Sequence, residues 1–253
     1  MSDKPAPEEV STAHGETFAF RERLGEMFAQ SPLSRQDLMF NLGLYVRSSL
    51  LVKFLVLDAV YRRIKHIPGA LVEFGTWWGQ NLVLMENLRA IHEPFNKQRT
   101  IIGFDTFEGY LDEAAMRRES VERHAGYQTG SAYEAYLAEL LEVHEGNNAF
   151  GHIRGNCRLV RGDVTLTAPQ YFAERRETIV AFAFFDMGPY EPTLAALKAI
   201  KPHLVPGSVL LFDELTWPGA PGEAIAFKEV FAGSRYQIEK CELYPSKAIV
   251  TVQ

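Results

Sequence analysis

The chain has 253 residues, of which 47% are hydrophobic and 23% charged, the ordinary make-up of a globular protein long enough to bury a core without staples. A formal net charge of −6 excludes a globally basic surface and so argues against nucleic acid as a partner. No stretch reaches the roughly 18 apolar residues of a membrane span. Cys157 and Cys241 stand far apart, without C-x-x-C or zinc-ligand spacing, and read as free thiols or small buried hydrophobes.

Residues 1–16 are polar and carry Pro5 and Pro7, with no apolar run of signal-peptide type; they read as a disordered tail, and a cytoplasmic protein is the default expectation. Residues 17–67 form a helical lead-in, with helices over Arg21–Ala29 and Gln36–Ile64. The second breaks near Gly43 and ends at Pro68-Gly69. Its apolar surface exceeds what one domain needs, so the lead-in is expected to serve as a lid or as the contact of a homo-oligomer.

From residue 68 to 253 strands and helices alternate. Apolar runs predict strands over Ala70–Phe74, Thr100–Asp105, Arg158–Arg161, Thr178–Asp186 and Ser208–Asp213, with Pro206-Gly207 as a turn before the last. Helices are predicted over Gln80–His92, Glu191–Ile200 and Ala224–Phe231. Tyr236–Leu243 and Lys247–Val252 are strands joined by three residues, too few for a parallel crossover, so they form an antiparallel hairpin. This order predicts an α/β protein with a doubly wound, largely parallel sheet. The connection over residues 106–156 is far longer than one crossover needs. It holds a helix at Ala132–Glu145, opened by the capping-box pair Ser131 and Glu134, and is a candidate lid.

In such a sheet ligands bind beyond the carboxyl ends of the strands. Those ends read Glu73-Phe74-Gly75-Thr76-Trp77-Trp78-Gly79, Asp105-Thr106-Phe107, Gly162-Asp163, Asp186-Met187-Gly188 and Asp213-Glu214. Gly75 and Gly79 bracket a turn that lets backbone approach a ligand. The spacing lacks G-x-G-x-x-G, which argues against a nicotinamide oxidoreductase. Asp105 is suited to a ribose diol and Asp163 to an adenine amino group; either could equally be a helix N-cap. Asp186, Asp213 and Glu214 offer oxygen ligands for Mg²⁺, an ion able to hold a substrate hydroxyl and lower its pKa. Solvated or capping roles are the alternative.

The runs GALVEFGTWWGQN, GFDTFEGY, RGDV and FFDMGPYEPTLAALKAIKPHLVPGSVLLFDEL together resemble the macrocin and mycinamicin O-methyltransferase family of S-adenosylmethionine (SAM)-dependent enzymes, from about Leu33 to Gln253. The resemblance implies the seven-stranded class I methyltransferase fold and methyl transfer from SAM to a hydroxyl, often on a natural-product deoxysugar, with Mg²⁺. It assigns Glu73, Gly75, Thr76 and Gly79 to the methionine end of SAM, Asp105 to the ribose and Asp163 to the adenine, with Trp77 and Thr106 as further cofactor-binding candidates. The metal falls on Asp186, Asp213 and Glu214. A general base falls on His124, before the G-Y-x-T-G-S loop, or on a metal-bound carboxylate such as Asp186; His144 is a weaker choice. The chain departs from the family's D-G-D at Gly188 and from its D-D pair at Glu214. Of Trp77 and Trp78, one is a candidate to lie beneath the cofactor and the other to face the substrate, with core packing an equal alternative for each. Arg35 and Arg47 are candidates for an anionic group. An amine or carboxylate acceptor, or SAM binding without catalysis, are the alternatives.

Overall fold

The computed structural model describes residues 15–96, 98–110, 127–130, 132–148 and 156–253. Residues 1–14, His124 and Ser131, and with them most of the expected tail, the expected base and the expected helix cap, lie outside these. The chain opens with α1 (Glu16–Ala29), α2 (Arg35–Phe40), a short 3-10 turn (Leu42–Tyr45) and α3 (Ser48–Ile64). The expected break near Gly43 is therefore the 3-10 turn. Then come β1 (Ala70–Phe74), α4 (Gln80–His92), β2 (Ile101–Asp105), α5 (Tyr133–Asn148), β3 (Cys157–Arg161), α6 (Val164–Glu174), β4 (Val180–Phe185) and α7 (Tyr190–Ile200). The chain closes with β5 (Leu204–Phe212), α8 (Gly222–Val230), β6 (Tyr236–Lys240) and β7 (Ala248–Val252).

The seven strands form one sheet in the order β3-β2-β1-β4-β5-β7-β6. β1 to β5 run parallel, and β7 pairs antiparallel with both β5 and β6. This is the doubly wound sheet with a terminal hairpin that the strand order predicted. Alternation along the strands divides the core in two. Val72, Phe74, Phe104, Phe185 and Phe212 pack with α6, α7 and α8. Leu71, Ile101, Phe182, Phe184 and Leu211 pack with α3, α4 and α5. No described helix is long and apolar enough to cross a membrane.

Three expectations are corrected. Helix α6 was not foreseen: its apolar positions Val164, Ala168, Tyr171 and Phe172 keep helical spacing, but Pro169 interrupts the run. Pro206-Gly207 is not a turn before β5 but a bulge within it. Val180 pairs with Leu204 and Phe182 with Val209, so β5 carries extra residues against β4. Ser208 ties the bulge down, its hydroxyl accepting from the Val205 N–H and donating to the Val180 carbonyl. The hairpin link is longer than three residues, because β6 stops at Lys240 and β7 starts at Ala248.

Candidate active site

The site is set by a row of phenylalanines. Phe104, Phe74, Phe185 and Phe212 stand in register on β2, β1, β4 and β5. Their rings stack with centroids 4.9, 5.1 and 4.8 Å apart, and all four are essentially fully buried. Such stacked pairs add about 0.5–1.5 kcal/mol each beyond their burial. Because the row fixes the register, the next residue on each strand falls on one line at the carboxyl edge: Asp105, Gly75, Asp186 and Asp213. The ladder runs one residue further, with the Asp186 N–H donating to the Phe74 carbonyl at 2.9 Å and the Asp213 N–H to the Phe185 carbonyl at 3.1 Å.

Above this floor lies a cavity of about 290 Å³, near the lower end of the usual range of roughly 300–1,000 Å³ for small-molecule sites. One wall carries Gly75, Trp77, Asp105, Thr106, Gly162 and Asp163; the other carries Asp186, Met187, Gly188, Asp213 and Glu214. Tyr110 crosses between the walls, its hydroxyl donating to the Met187 carbonyl at 3.2 Å. Tyr127 also lines the cavity, so the long insertion reaches the site at two points.

On the first wall, Gly75 sits at φ +89°, and a Cβ there would lie 2.2 Å from the Asp186 carbonyl oxygen. Only glycine allows β1 and β4 to part this closely. Asp105 organises both turns around it. One oxygen accepts from the Trp77 N–H and the other from the Phe107 N–H, each at 2.7 Å. Among the described residues, Trp77 and Phe107 are the non-glycine residues with positive φ, at 48° and 57°, so the carboxylate holds two strained turns in place. Asp163 is the N-cap of α6, accepting from the Thr165 N–H at 2.8 Å, while it also faces the cavity. Capping and ligand contact are thus compatible there.

Several residues assigned to SAM stand behind the wall. Glu73 is completely buried; Asn81 donates to one of its oxygens at 2.7 Å, and the other has no hydrogen-bond partner among the described residues. Burial, with the charges of Asp186 and Asp105, holds its carboxyl well above the usual range. Thr76 is buried, its hydroxyl directed at the Phe104 carbonyl. Gly79 precedes α4 in the left-handed conformation. Trp77 lines the cavity, whereas Trp78 is exposed and packs edge-on against Tyr133. Arg35, Arg47 and His144 do not line the cavity.

The second wall is acidic. Burial and the Asp186 charge raise the Glu214 carboxyl. Behind it, fully buried Glu223 accepts the Glu214 N–H at 2.9 Å, and burial likewise raises its carboxyl well above the usual range. Lys247, from the hairpin link, ion-pairs with Asp213. Burial pushes its ammonium down to about 8, against the pull of Asp186. The three carboxylates are chemically suited to Mg²⁺, but they are not gathered into a ready cage. Among the described residues, the acidic and thiol groups whose ligand atoms lie within 4.8 Å of one another are Glu86, Glu145 and Cys157. That cluster is already satisfied by Arg89, which pairs with both glutamates.

The sequence model of macrocin-O-methyltransferase (TylF) matches residues 56–231. The chain belongs to the macrocin-O-methyltransferase family. Among solved structures it is similar to CalS11, a calicheamicin methyltransferase, at 35% identity over 99% of this chain and 98% of that one, with a TM-score of 0.88. An apo structure of CalS11, described as a TDP-rhamnose 3'-O-methyltransferase of calicheamicin biosynthesis, matches at 35% identity over 95% and 96%, with a TM-score of 0.81. The O-methyltransferase NovP, at 16% identity over 80% of each chain and a TM-score of 0.60, shares the fold. No curated protein matches.

The two positions at which the sequence departs from the pattern expected of the family, 188 and 214, are neighbours in the acidic wall. A Cβ built on Gly188 would lie 3.0 Å from Glu214 Oε2, so a side chain at 188 would need the end of Glu214 to give way. Sequence reasoning missed Lys247, Glu223 and the Tyr110 strap. Lys247 looks like the first residue of a strand, and nothing local marks it. A signal for the edge as a whole was present: Phe precedes the functional residue at four strand ends, in Phe74-Gly75, Phe104-Asp105, Phe185-Asp186 and Phe212-Asp213.

Proposed function

We propose that this member of the macrocin-O-methyltransferase family is a SAM-dependent enzyme that methylates a hydroxyl on a sugar or related natural-product small molecule. The observation that carries this reading is the single cavity with a cofactor-type wall on one side and an acidic wall on the other. Asp105, presented by two N–H groups, keeps its outer lone pairs for a ribose diol; Gly75 leaves backbone open to the methionine end. Trp77 and Thr106 belong to the same wall, with Asp163 at the adenine end. Glu73, Thr76 and Gly79 support this wall from behind. When bound, SAM supplies an electrophilic methyl group to an acceptor hydroxyl held in line with it. The second wall aligns that hydroxyl, and Tyr110 and Tyr127 exclude water.

Asp186, Asp213 and Glu214 would hold a Mg²⁺, which would polarise the hydroxyl. His124 or Asp186 would take the proton. The similarity to a TDP-rhamnose 3'-O-methyltransferase at 35% identity supports a sugar as acceptor. Working partners are the small-molecule acceptor and a second copy of the chain, with no role for nucleic acid or membrane, in the cytoplasm.

Calorimetric titration with SAM and with S-adenosylhomocysteine tests the reading. Micromolar binding of either is expected, weakened at least tenfold in Asp105→Ala. A folded protein that binds neither would not be a SAM-dependent methyltransferase.

A further inference from the structure

The acidic wall brings its own cation. Asp186, Asp213 and Glu214 face one cavity. Like charges gathered out of water need compensation. Lys247 supplies it: the residue is 6% exposed, and its ammonium pairs with Asp213 Oδ1. The ammonium also lies 4.9 Å from the ring of Phe184 and 4.8 Å from that of Tyr244, both favourable cation–π contacts. The backbone holds it there. The Lys247 N–H donates to the Tyr244 carbonyl and the Lys247 carbonyl accepts from the Cys241 N–H, each at 2.9 Å, so the link between β6 and β7 is closed around this residue. Position 247 lies beyond the stretch 56–231 that the family model matches, so the lysine is no part of that match.

We propose that Lys247 is a built-in competitor of divalent cations at this wall, and that a metal ion gains Asp213 only by displacing the ammonium. The physical case is one of shared ligands. Mg²⁺ demands near-ideal octahedral oxygen geometry and is usually held by only one or two carboxylates, so each one counts. An ammonium is a compact point charge that occupies one of those oxygens. Two cations side by side repel, most strongly where water is excluded, and Lys53 on α3 adds positive charge near the same ammonium. Lys247 therefore sets the metal affinity of the wall and neutralises part of it when no metal is bound. The functional meaning rests on the acidic wall being the acceptor side of the site. The test does not, since it needs neither SAM nor acceptor.

The experiment is a Mn²⁺ titration of the full chain, followed by the electron paramagnetic resonance of free Mn²⁺, for the wild type, Lys247→Met and Lys247→Arg. Lys247→Met is expected to bind Mn²⁺ at least tenfold more tightly than the wild type. Lys247→Arg, which keeps the charge, is expected to stay within threefold. Equal affinity in the wild type and a folded Lys247→Met, or no binding by either, overturns the proposal. Should Lys247→Met not fold, the wild type decides. The side-chain ammonium resonance of Lys247 should move along the Mg²⁺ binding curve, and Mg²⁺ binding that leaves it unmoved overturns the proposal equally.

Discussion

Gly188 and Glu214 show how a departure from a family pattern becomes intelligible only in three dimensions. Each looks like a lost or altered ligand in the sequence; in the fold the two positions are neighbours. Gly188 also sits at φ +82°, where a side chain is strained. Gly188→Asp should therefore cost about 1–3 kcal/mol in urea unfolding. Adding Glu214→Asp, which withdraws the arm from the contact, should recover about 1 kcal/mol of that. Strictly additive effects would show that the two positions do not share the space. Glu73 makes a second case. Its carboxyl is held well above the usual range by burial, so between its unfolded and folded values the native state keeps a proton that the unfolded chain has released. Stability contributed by this group thus falls as pH rises from the ordinary carboxylate range through the raised folded value. Glu73→Gln fixes the neutral form. Its melting temperature relative to the wild type should climb as pH rises above the ordinary carboxylate range, and a pH-independent difference would mean that burial does not hold the Glu73 carboxyl neutral. The sequence places Glu73 at the end of a strand, but not which way its side chain turns. The two-residue alternation sends it to the α4 side, under Asn81, rather than to the cavity.

At the scale of elements, legibility followed the strength of local pattern. β1 and α4 have the bounds expected of them, because the apolar run lies between Gly69 and Gly75 and the helical spacing between Gly79 and Pro94. α6 was hidden by Pro169, although Asp163, read as ligand or cap, begins it. The bulge in β5 was read as a turn, because Pro206-Gly207 normally ends a strand and only pairing to β4 keeps it in the sheet. The double duty of Asp163 gives a prediction at this scale. Asp163→Ala removes the N-cap and should lower stability by about 1 kcal/mol. Asp163→Ser, which can still cap, should stay within a few tenths of wild type. Both should weaken SAM binding in calorimetry if the carboxylate also meets the adenine. Full SAM affinity in both variants would leave Asp163 as a cap alone.

For the whole molecule, the strand order and the terminal hairpin were readable because each connection is either long enough for a crossover or too short for one. What the sequence could not supply was the relation between distant ends: Lys247 against Asp213, Tyr110 against Met187. These contacts are non-local and leave no periodic trace. The helical lead-in raises the remaining question of assembly. Phe20, Phe40 and Leu44 are 74%, 83% and 63% exposed, and Phe18, Met27, Met39, Leu51 and Leu55 are exposed beside them. A surface this apolar is rare on a monomer and marks a contact. A second copy is the occupant expected, since α3 anchors the lead-in to the sheet through Val56, Leu57, Val60 and Ile64 while α1 and α2 bury nothing comparable. The 28.6 kDa chain should therefore sediment as a homo-oligomer. Phe20→Ser, Phe40→Ser and Leu44→Ser combined should sediment as a monomer and still bind SAM, because none of the three lines the cavity. A wild-type chain that sediments as a monomer at micromolar concentration would require another partner for this face. A monomeric triple variant that had also lost SAM affinity would show instead that the second copy shapes the cavity.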